Sequence, residues 1–357
     1  MALQSSGQIS LNDIHVELGE SSGTEVSLND SDVLGLISFS SGSEIELADF
    51  YGASSGPTDM TSQGTINNLN YRQQATASDF ISSGGKLRIP SNFYCYSNNI
   101  NTPALIIDIP CEVTVDGVIM GRGGRGGCSG RYGAISAPQS GGDAVRINSG
   151  VSGVTIIINS GAYVFGGGGG GGAGAGSSGM NGSAGCAGGG GGAGGGEGGW
   201  GLSNNISGFS PHQPAVAGGA IGLKGSDHFS AWGGNGGSGG GSGGGSNGVD
   251  NGGWSSNVNA GPSGGGGGRM AANTGFTAYG GSGTNSTGGR GYFSSTGQNA
   301  QGTHLSGAGG GGFGQNGGNQ TYHSYSGIQT GGSGGKAIND NGQTYTLTNN
   351  GYVLGGT

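Results

Sequence analysis

Histidine, cysteine and carboxylate side chains are the groups here that could carry acid–base, nucleophilic or metal chemistry, and the chain has 5 His, 4 Cys and 19 Asp plus Glu. Their spacing removes most of that chemistry. His15, His212, His228, His304 and His323 make no HxH, HxxxH or HExxH pattern. Cys95, Cys111, Cys128 and Cys186 show neither CxxC spacing nor a His at a metal-ligand interval, so free thiols are expected. Cleaving a polysaccharide needs two carboxylates facing each other across a groove, and acidic residues are sparse after residue 112. Glu197, Asp227 and His228 read as isolated solvated polar groups. The run G-R-G-G-R-G-G-C-S-G-R at 121–131 has the make-up of an RGG tract. A net charge of -8 opposes the counterion release that drives phosphate binding, so a turn region with Arg on its surface is expected. G-G-S-G-G-K-A at 331–337 lacks both the first Gly and the final Ser or Thr of a phosphate loop. The sequons at Asn181, Asn205, Asn285 and Asn319 have no secretory context. No catalytic residue, metal site or cofactor is expected, and no nucleic-acid partner.

Recognition chemistry is better represented. Trp200, Phe209, Trp232, Trp254, Phe276 and Tyr279 interrupt a stretch otherwise made of Gly, Ser and Asn. Binding energy concentrates in a few aromatic and Arg anchors, and a surface of aromatics set among Ser, Gly and Asn has the composition of an antibody paratope. These six are therefore candidate contact residues. The plainer alternative is that about half of the bulky residues in this stretch act as hydrophobic plugs.

What holds such residues in place must itself be nearly free of side chains, because 96 of 357 residues are Gly and only 8 are Pro. Gly176, Gly179, Gly182, Gly185, Gly188, Gly191 and Gly194 fall on every third residue. A polyproline II helix has three residues per turn and no internal hydrogen bonds, so Gly at that period gives a bare face against which another backbone can pack. Residues 166–336 are read as a lobe of such rods with loops between them. Collagen is disfavoured, since the period breaks and Pro is scarce.

The remainder divides by composition. Residues 63–165 carry short β-branched and aromatic runs at 65–69, 86–89, 93–96, 104–109, 112–115 and 155–158, a β-rich region. An echo joins V-T-V-D-G-V-I-M-G at 113–121, I-I-N-S-G-A-Y-V-F-G at 157–166 and T-L-T-N-N-G-Y-V-L-G at 346–355. Strand, Asp-Gly or Asn-Gly, strand is the grammar of a tight hairpin, and its last copy brings 337–357 back to the β-rich region. Residues 1–52 repeat I-S-L-N-D, V-S-L-N-D and I-E-L-A-D, each read as a short strand followed by a cap or turn residue. This module is small for a core of its own, and 53–62 is a linker. The fold class expected is mainly β and irregular: a small N-terminal module, a short-strand β region and a Gly-rich polyproline II lobe.

The first residues have no basic segment followed by an apolar one, so no signal peptide or membrane insertion is expected, and synthesis is placed in a cytosol. Gly-rich stretches alternating with aromatic-bearing loops over 166–336 resemble the receptor-binding adhesins of T-even-type bacteriophage long tail fibres. That resemblance implies a polyproline II sandwich whose tip loops contact a bacterial outer-surface receptor. Separately, G-Q-I-S-L-N-D-I at 7–14 and E-I-E-L-A-D-F-Y-G-A at 44–53 resemble short anchoring motifs of tailed-phage structural proteins. The resemblances imply a virion tail protein, made in the host cytoplasm, whose partners are other tail proteins and a receptor of protein or glycan. They allow a homotrimer or a single copy at a fibre tip. The alternative is a purely structural virion component, such as a fibre, collar or baseplate decoration.

Overall fold

The computed structural model describes residues 3–18, 21–23, 25–37, 39, 42, 44–53, 56–66, 69–128, 136–173, 189–199, 243–244, 308–319 and 329–357. These residues are mainly β-strand and irregular backbone.

The N-terminal module contains α1 (Leu11–Glu17), α2 (Ser31–Leu36) and a 3-10 turn (Leu47–Phe50). Its three sequence repeats are not strands. In each, the Asp accepts a hydrogen bond from the backbone N–H three residues earlier, at 2.8 Å: Ser10 to Asp13, Ser27 to Asp30 and Glu46 to Asp49. The alternation that reads as a strand is thus one apolar residue entering an Asp-closed turn, which is the capping-box chemistry of helix starts. Ile9, Val26 and Ile45 lead the three turns into one cluster with Leu3, Ile14, Val33 and Phe50. Leu3 N–H donates to Ala53 O, which closes the module on itself.

The rest is a three-sided solenoid. Its strands are β1 (Thr58–Asp59), β2 (Gly64–Ile66), β3 (Leu69–Gln73), β4 (Ala75–Thr76), β5 (Lys86–Ile89), β6 (Phe93–Tyr96), β7 (Leu105–Ile107), β8 (Glu112–Val115), β9 (Val118–Met120), β10 (Val145–Ile147), β11 (Val154–Ile158) and β12 (Tyr163–Phe165). After the two-residue pair β13 (Gly191–Gly192) and β14 (Gly243–Gly244) come β15 (Ile338–Asn339), β16 (Tyr345–Asn349) and β17 (Tyr352–Leu354). Three sheets form, in the orders β1-β5-β8-β11-β16, β4-β7-β10-β15 and β2-β3-β6-β9-β12-β17. Every pairing in them is parallel except β2 with β3.

Parallel register stacks like on like. Leu87, Val113 and Ile156 make one inward column, with Leu347 in register at its exposed end, and Ala75, Leu105, Val145 and Ile338 make another. All but Leu347 belong to the main buried cluster. Full burial of such a side chain is worth about 1.5–3 kcal/mol, so the columns hold the rungs together.

The hairpin reading of the repeated motif is corrected by this register. Asp116-Gly117, Ser160-Gly161 and Asn350-Gly351 are corners where the chain passes from one sheet to the next. The N–H groups of Asp116, Asn159 and Asn350 donate to Ile89, Val115 and Ile158 of the preceding rung, so the flanking strands pair with other turns of the solenoid and not with each other. At the corner Asp116 accepts from Arg88 Nε at 2.6 Å and from Asn159 Nδ2 at 2.7 Å.

Candidate functional site

Each turn of the solenoid has one corner where the chain departs from the rung, between the six-stranded and the four-stranded sheet. The departure grows along the chain. It is Gln74 alone between β3 and β4, residues 97–104 between β6 and β7, residues 121–144 between β9 and β10, and residues 166–337 between β12 and β15. The last two excursions form a lattice of extended rods at 121–127, 137–142, 166–173, 189–193, 196–199, 308–312, 315–319 and 331–335. The lattice therefore starts inside the segment assigned to the β-rich region, because the run at 121–127 is a rod and not a turn.

The rod at 166–172 sits at the centre. Its N–H groups donate to three neighbours in strict rotation: Gly167 and Gly170 to Gly142 and Gln139, Gly168 and Gly171 to Ala193 and Gly190, Gly169 and Gly172 to Gln315 and Gly318. Its carbonyls accept from three others in the same rotation: Gly167 and Gly170 from Gly335 and Gly332, Gly168 and Gly171 from Gly124 and Gly127, Gly169 and Gly172 from Gly311 and Ala308. Distances run from 2.7 to 3.0 Å. A backbone group buried without a partner costs about what a lost hydrogen bond costs, and here six surrounding rods satisfy the central one.

This geometry explains the composition. A Cβ on Gly167 would lie 2.0 Å from Arg122 O, on Gly168 2.2 Å from Gly311 O, and on Gly169 1.8 Å from Gly332 O. All three faces of the central rod are closed by backbone, so every residue is Gly. The rod at 121–127 is closed on two faces only. Gly123 and Gly126 face the 189–199 segment, Gly124 faces 137–142, and the third phase carries Arg122 and Arg125. Arg122 lies 3.6 Å from Glu197, itself the one side chain of the rod at 196–199. Burial pulls the Arg122 guanidinium down from its ordinary value, and the Glu197 carboxylate opposes that shift.

The two ends of the lattice differ. At the near end the turns at Ala193 and Phe313 drop onto the outer face of the six-stranded sheet. There Phe313 and Ala193 join Tyr94, Tyr96, Val118, Met120, Tyr163 and Phe165 in a second buried cluster, and Phe313 stacks on Phe165 at 4.8 Å. Left-handed Gly194, Gly195 and Gly314 make the reversals, with φ of +95°, +83° and +64°. At the far end the described rods stop at Cys128 and Ser136, Ala173 and Gly189, Gly199 and Ala308, and Asn319 and Gln329. Gly199 N–H donates to Gly189, Gly189 to Gly127, Gly127 to Gly171, Ala308 to Gly172 and Gly172 to Gly318, so these stops lie side by side. The chain passes out of the described rods there into 129–135, 174–188, 200–242 and 320–328, and it meets the lattice again at Gly243–Gly244, which pair antiparallel with Gly191–Gly192.

Side-chain acceptors finish the lattice edge where backbone partners run out. Asn316 and Asn319 Oδ1 accept from Gly334 and Gly331 at 2.9 and 2.8 Å, and Asp143 Oδ1 accepts from Lys336 N–H at 2.8 Å. The sequence reading missed this role. Its signal is Asn at a spacing of three, matching the rod period.

Of the residues singled out beforehand, Trp200, Phe209, Trp232, Trp254, Phe276 and Tyr279 lie outside the described residues, as do Gly176, Gly179, Gly182, Gly185 and Gly188. Trp200, Phe209 and Trp232 fall between Gly199 and the described pair Gly243–Gly244, and Trp254, Phe276 and Tyr279 fall between that pair and Ala308. Gly191 is a rod residue, where a Cβ would lie 2.3 Å from Gly196 O, and Gly194 is in the near-end turn. Cys95, Cys111 and Cys128 are buried free thiols. Burial pushes Cys95 up to about 12 and Cys111 up to about 11, which keeps both protonated. Among the described residues, no group of three or more His, Cys, Asp or Glu could hold a metal ion, and no helix is long and apolar enough to cross a membrane.

No known protein family and no curated protein matches the chain. Among solved structures it is similar to the crystal structure of the gp37-gp38 adhesin tip complex of the bacteriophage S16 long tail fiber, at 13% identity over 100% of both chains and a TM-score of 0.32. A likeness of that size places neither fold nor function.

Proposed function

We propose that this chain is a non-enzymatic tail-fibre tip adhesin of a tailed phage, which binds a bacterial surface receptor, protein or glycan, through the segments leaving the far end of the lattice. One observation carries the reading: the two described rod reversals on the solenoid side, at Ala193 and Phe313, are tight turns, whereas the described rods that lead into 129–135, 174–188, 200–242 and 320–328 end on the opposite side. The rods are taken to be polyproline II helices, supported by the three-residue rotation of their hydrogen bonds. Such a frame is stiff and chemically bare, so specificity falls to the departing segments.

The test is alanine substitution of Trp200, Phe209, Trp232, Trp254, Phe276 and Tyr279 one at a time, with particle assembly and adsorption to cells both measured. A true anchor lowers attachment by about 2 kcal/mol or more with assembly intact, and a plug lowers melting temperature first. If all six prove dispensable for adsorption, the purely structural virion component becomes the better reading.

The N-terminal module is assigned to anchoring on another tail protein. Leu11, Val16, Leu47 and Tyr51 are 37%, 48%, 37% and 39% exposed, and the chain has no Lys or Arg before Arg72. An acidic module with exposed apolar side chains fits a basic, partly apolar surface on its partner. Full incorporation into particles of a chain lacking 1–52 overturns this assignment.

A further inference from the structure

The rung made of β15, β16 and β17 has a neighbouring rung on one side only. Over β15 the chain turns back at 355–357, where Gly356 O accepts from the N–H groups of Ala337 and Ile338. β16 has no such cover, and it pairs with β11 alone. Asn350 N–H donates to Ile158, so alternation along the strand turns the backbone groups of Tyr345, Leu347 and Asn349 to the open side. The strand is exposed along most of its length, and Leu347, in register with the inward column of Leu87, Val113 and Ile156, is 36% exposed. A bare strand edge is a template for pairing, and natural sheets blunt it with charge or Pro. β1, at the other edge of the same sheet, is preceded by Pro57 and carries Asp59. β16 is not blunted, since Y-T-L-T-N holds no charge and no Pro.

We infer that β16 is a dimer edge whose occupant is β16 of a second copy of this chain, running antiparallel about a two-fold axis at Leu347. The strand is self-complementary in that arrangement, as an isologous contact requires. Leu347 meets its own copy and exchanges both backbone bonds with it, and Tyr345 does the same with the partner subunit's Asn349. All three outward residues are thereby used, at the hydrogen-bonded positions of an antiparallel ladder. The axis also sets Thr346 against the partner subunit's Thr348, a favourable cross-strand pair, and the neutral strand brings no charge against a like charge. Leu347 then carries the apolar column of one core into the next. A head-to-tail stack would instead place β16 against the blunted, two-residue β1.

Sedimentation of the full chain against concentration tests this. The parent should reach twice 34.2 kDa and dissociate on dilution. Leu347→Lys and Leu347→Glu each set like charges against each other across the axis and lose both Leu contacts. Each should weaken association by about a hundredfold or more, with folding intact by circular dichroism. An equimolar mixture of the two should recover the dimer, since the axis then brings opposite charges together. Amide exchange gives a reading that needs no variant, and it decides alone should a variant fail to fold. Leu347 N–H should be protected in concentrated parent protein and exchange freely when dilute, whereas Thr346 N–H, which faces β11, stays protected throughout. A parent that remains at 34.2 kDa up to about 100 μM overturns the pairing. So does a dimer that survives both variants, or Leu347 exchange that ignores concentration. Protection of Leu347 that appears only when another tail protein is added identifies a foreign strand, and overturns the second copy as occupant.

Discussion

Gly169→Ala should abolish the rod lattice, at a cost above about 4 kcal/mol, the range reserved for substitutions that the fold cannot accommodate. The new Cβ would sit 1.8 Å from Gly332 O and 2.4 Å from Gly332 C. Neither rod can move aside, because Gly169 donates to Gln315 and accepts from Gly311, while Gly332 donates to Gly170. Ser333→Ala is the matched control: the neighbouring position already carries a Cβ, so the change should stay within about 0.5 kcal/mol. Urea unfolding with amide exchange reads both variants, and protection should vanish over 166–172 while it persists in β5 to β9. A Gly169→Ala chain that unfolds at the parent midpoint refutes the closed central rod.

Phe313→Ala should cost about 3–5 kcal/mol, the usual loss on truncating a buried Phe. Its ring is fully buried at the near-end turn and stacks on Phe165, so it is where the lattice meets the solenoid. The next residue, Gly314, donates to Gly166 O at 2.7 Å, and this bond reports the junction directly. Exchange at Gly314 should rise with the loss in stability, and Phe313→Leu should lose less. A change below about 1 kcal/mol would mean that the backbone bonds alone hold the two parts together.

Much of this architecture was legible in the residues, and the failures have physical causes. β-branched runs E-V-T-V at 112–115 and T-I-I-I at 155–158 mark real strands, because one face of each is packed inward. Partner choice was not legible. Asp-Gly and Asn-Gly mark a reversal of the backbone whether the next strand returns alongside or turns a corner, and only the register with other rungs distinguishes the two. Asp13, Asp30 and Asp49 are the cap or turn residues their type implies, whereas the apolar residue before each is not in a strand, because one apolar residue before a polar pair fits both patterns. Of the glycines spaced by three at 176–194, Gly191 lies in a rod, Gly194 makes a turn instead, and the other five lie outside the described residues. The run at 121–127 keeps Arg at every third position because its third face meets no neighbouring backbone, leaving room for the half-buried Arg122 and Arg125, so it has fewer glycines than the central rod and reads as a loop. Nothing local marks Phe313 as a junction, since that role depends on partners far away in the chain.

The all-glycine centre has a calorimetric consequence. Unfolding a conventional core exposes apolar surface and raises the heat capacity, whereas exposing peptide groups lowers it. The lattice buries peptide groups almost exclusively, so its unfolding carries little heat-capacity change and its stability varies almost linearly with temperature. The solenoid, held by columns of Leu, Val and Ile, follows the usual dome and weakens on cooling. The two parts of one chain therefore have different temperatures of greatest strength, and the lattice remains the firmer of the two in the cold.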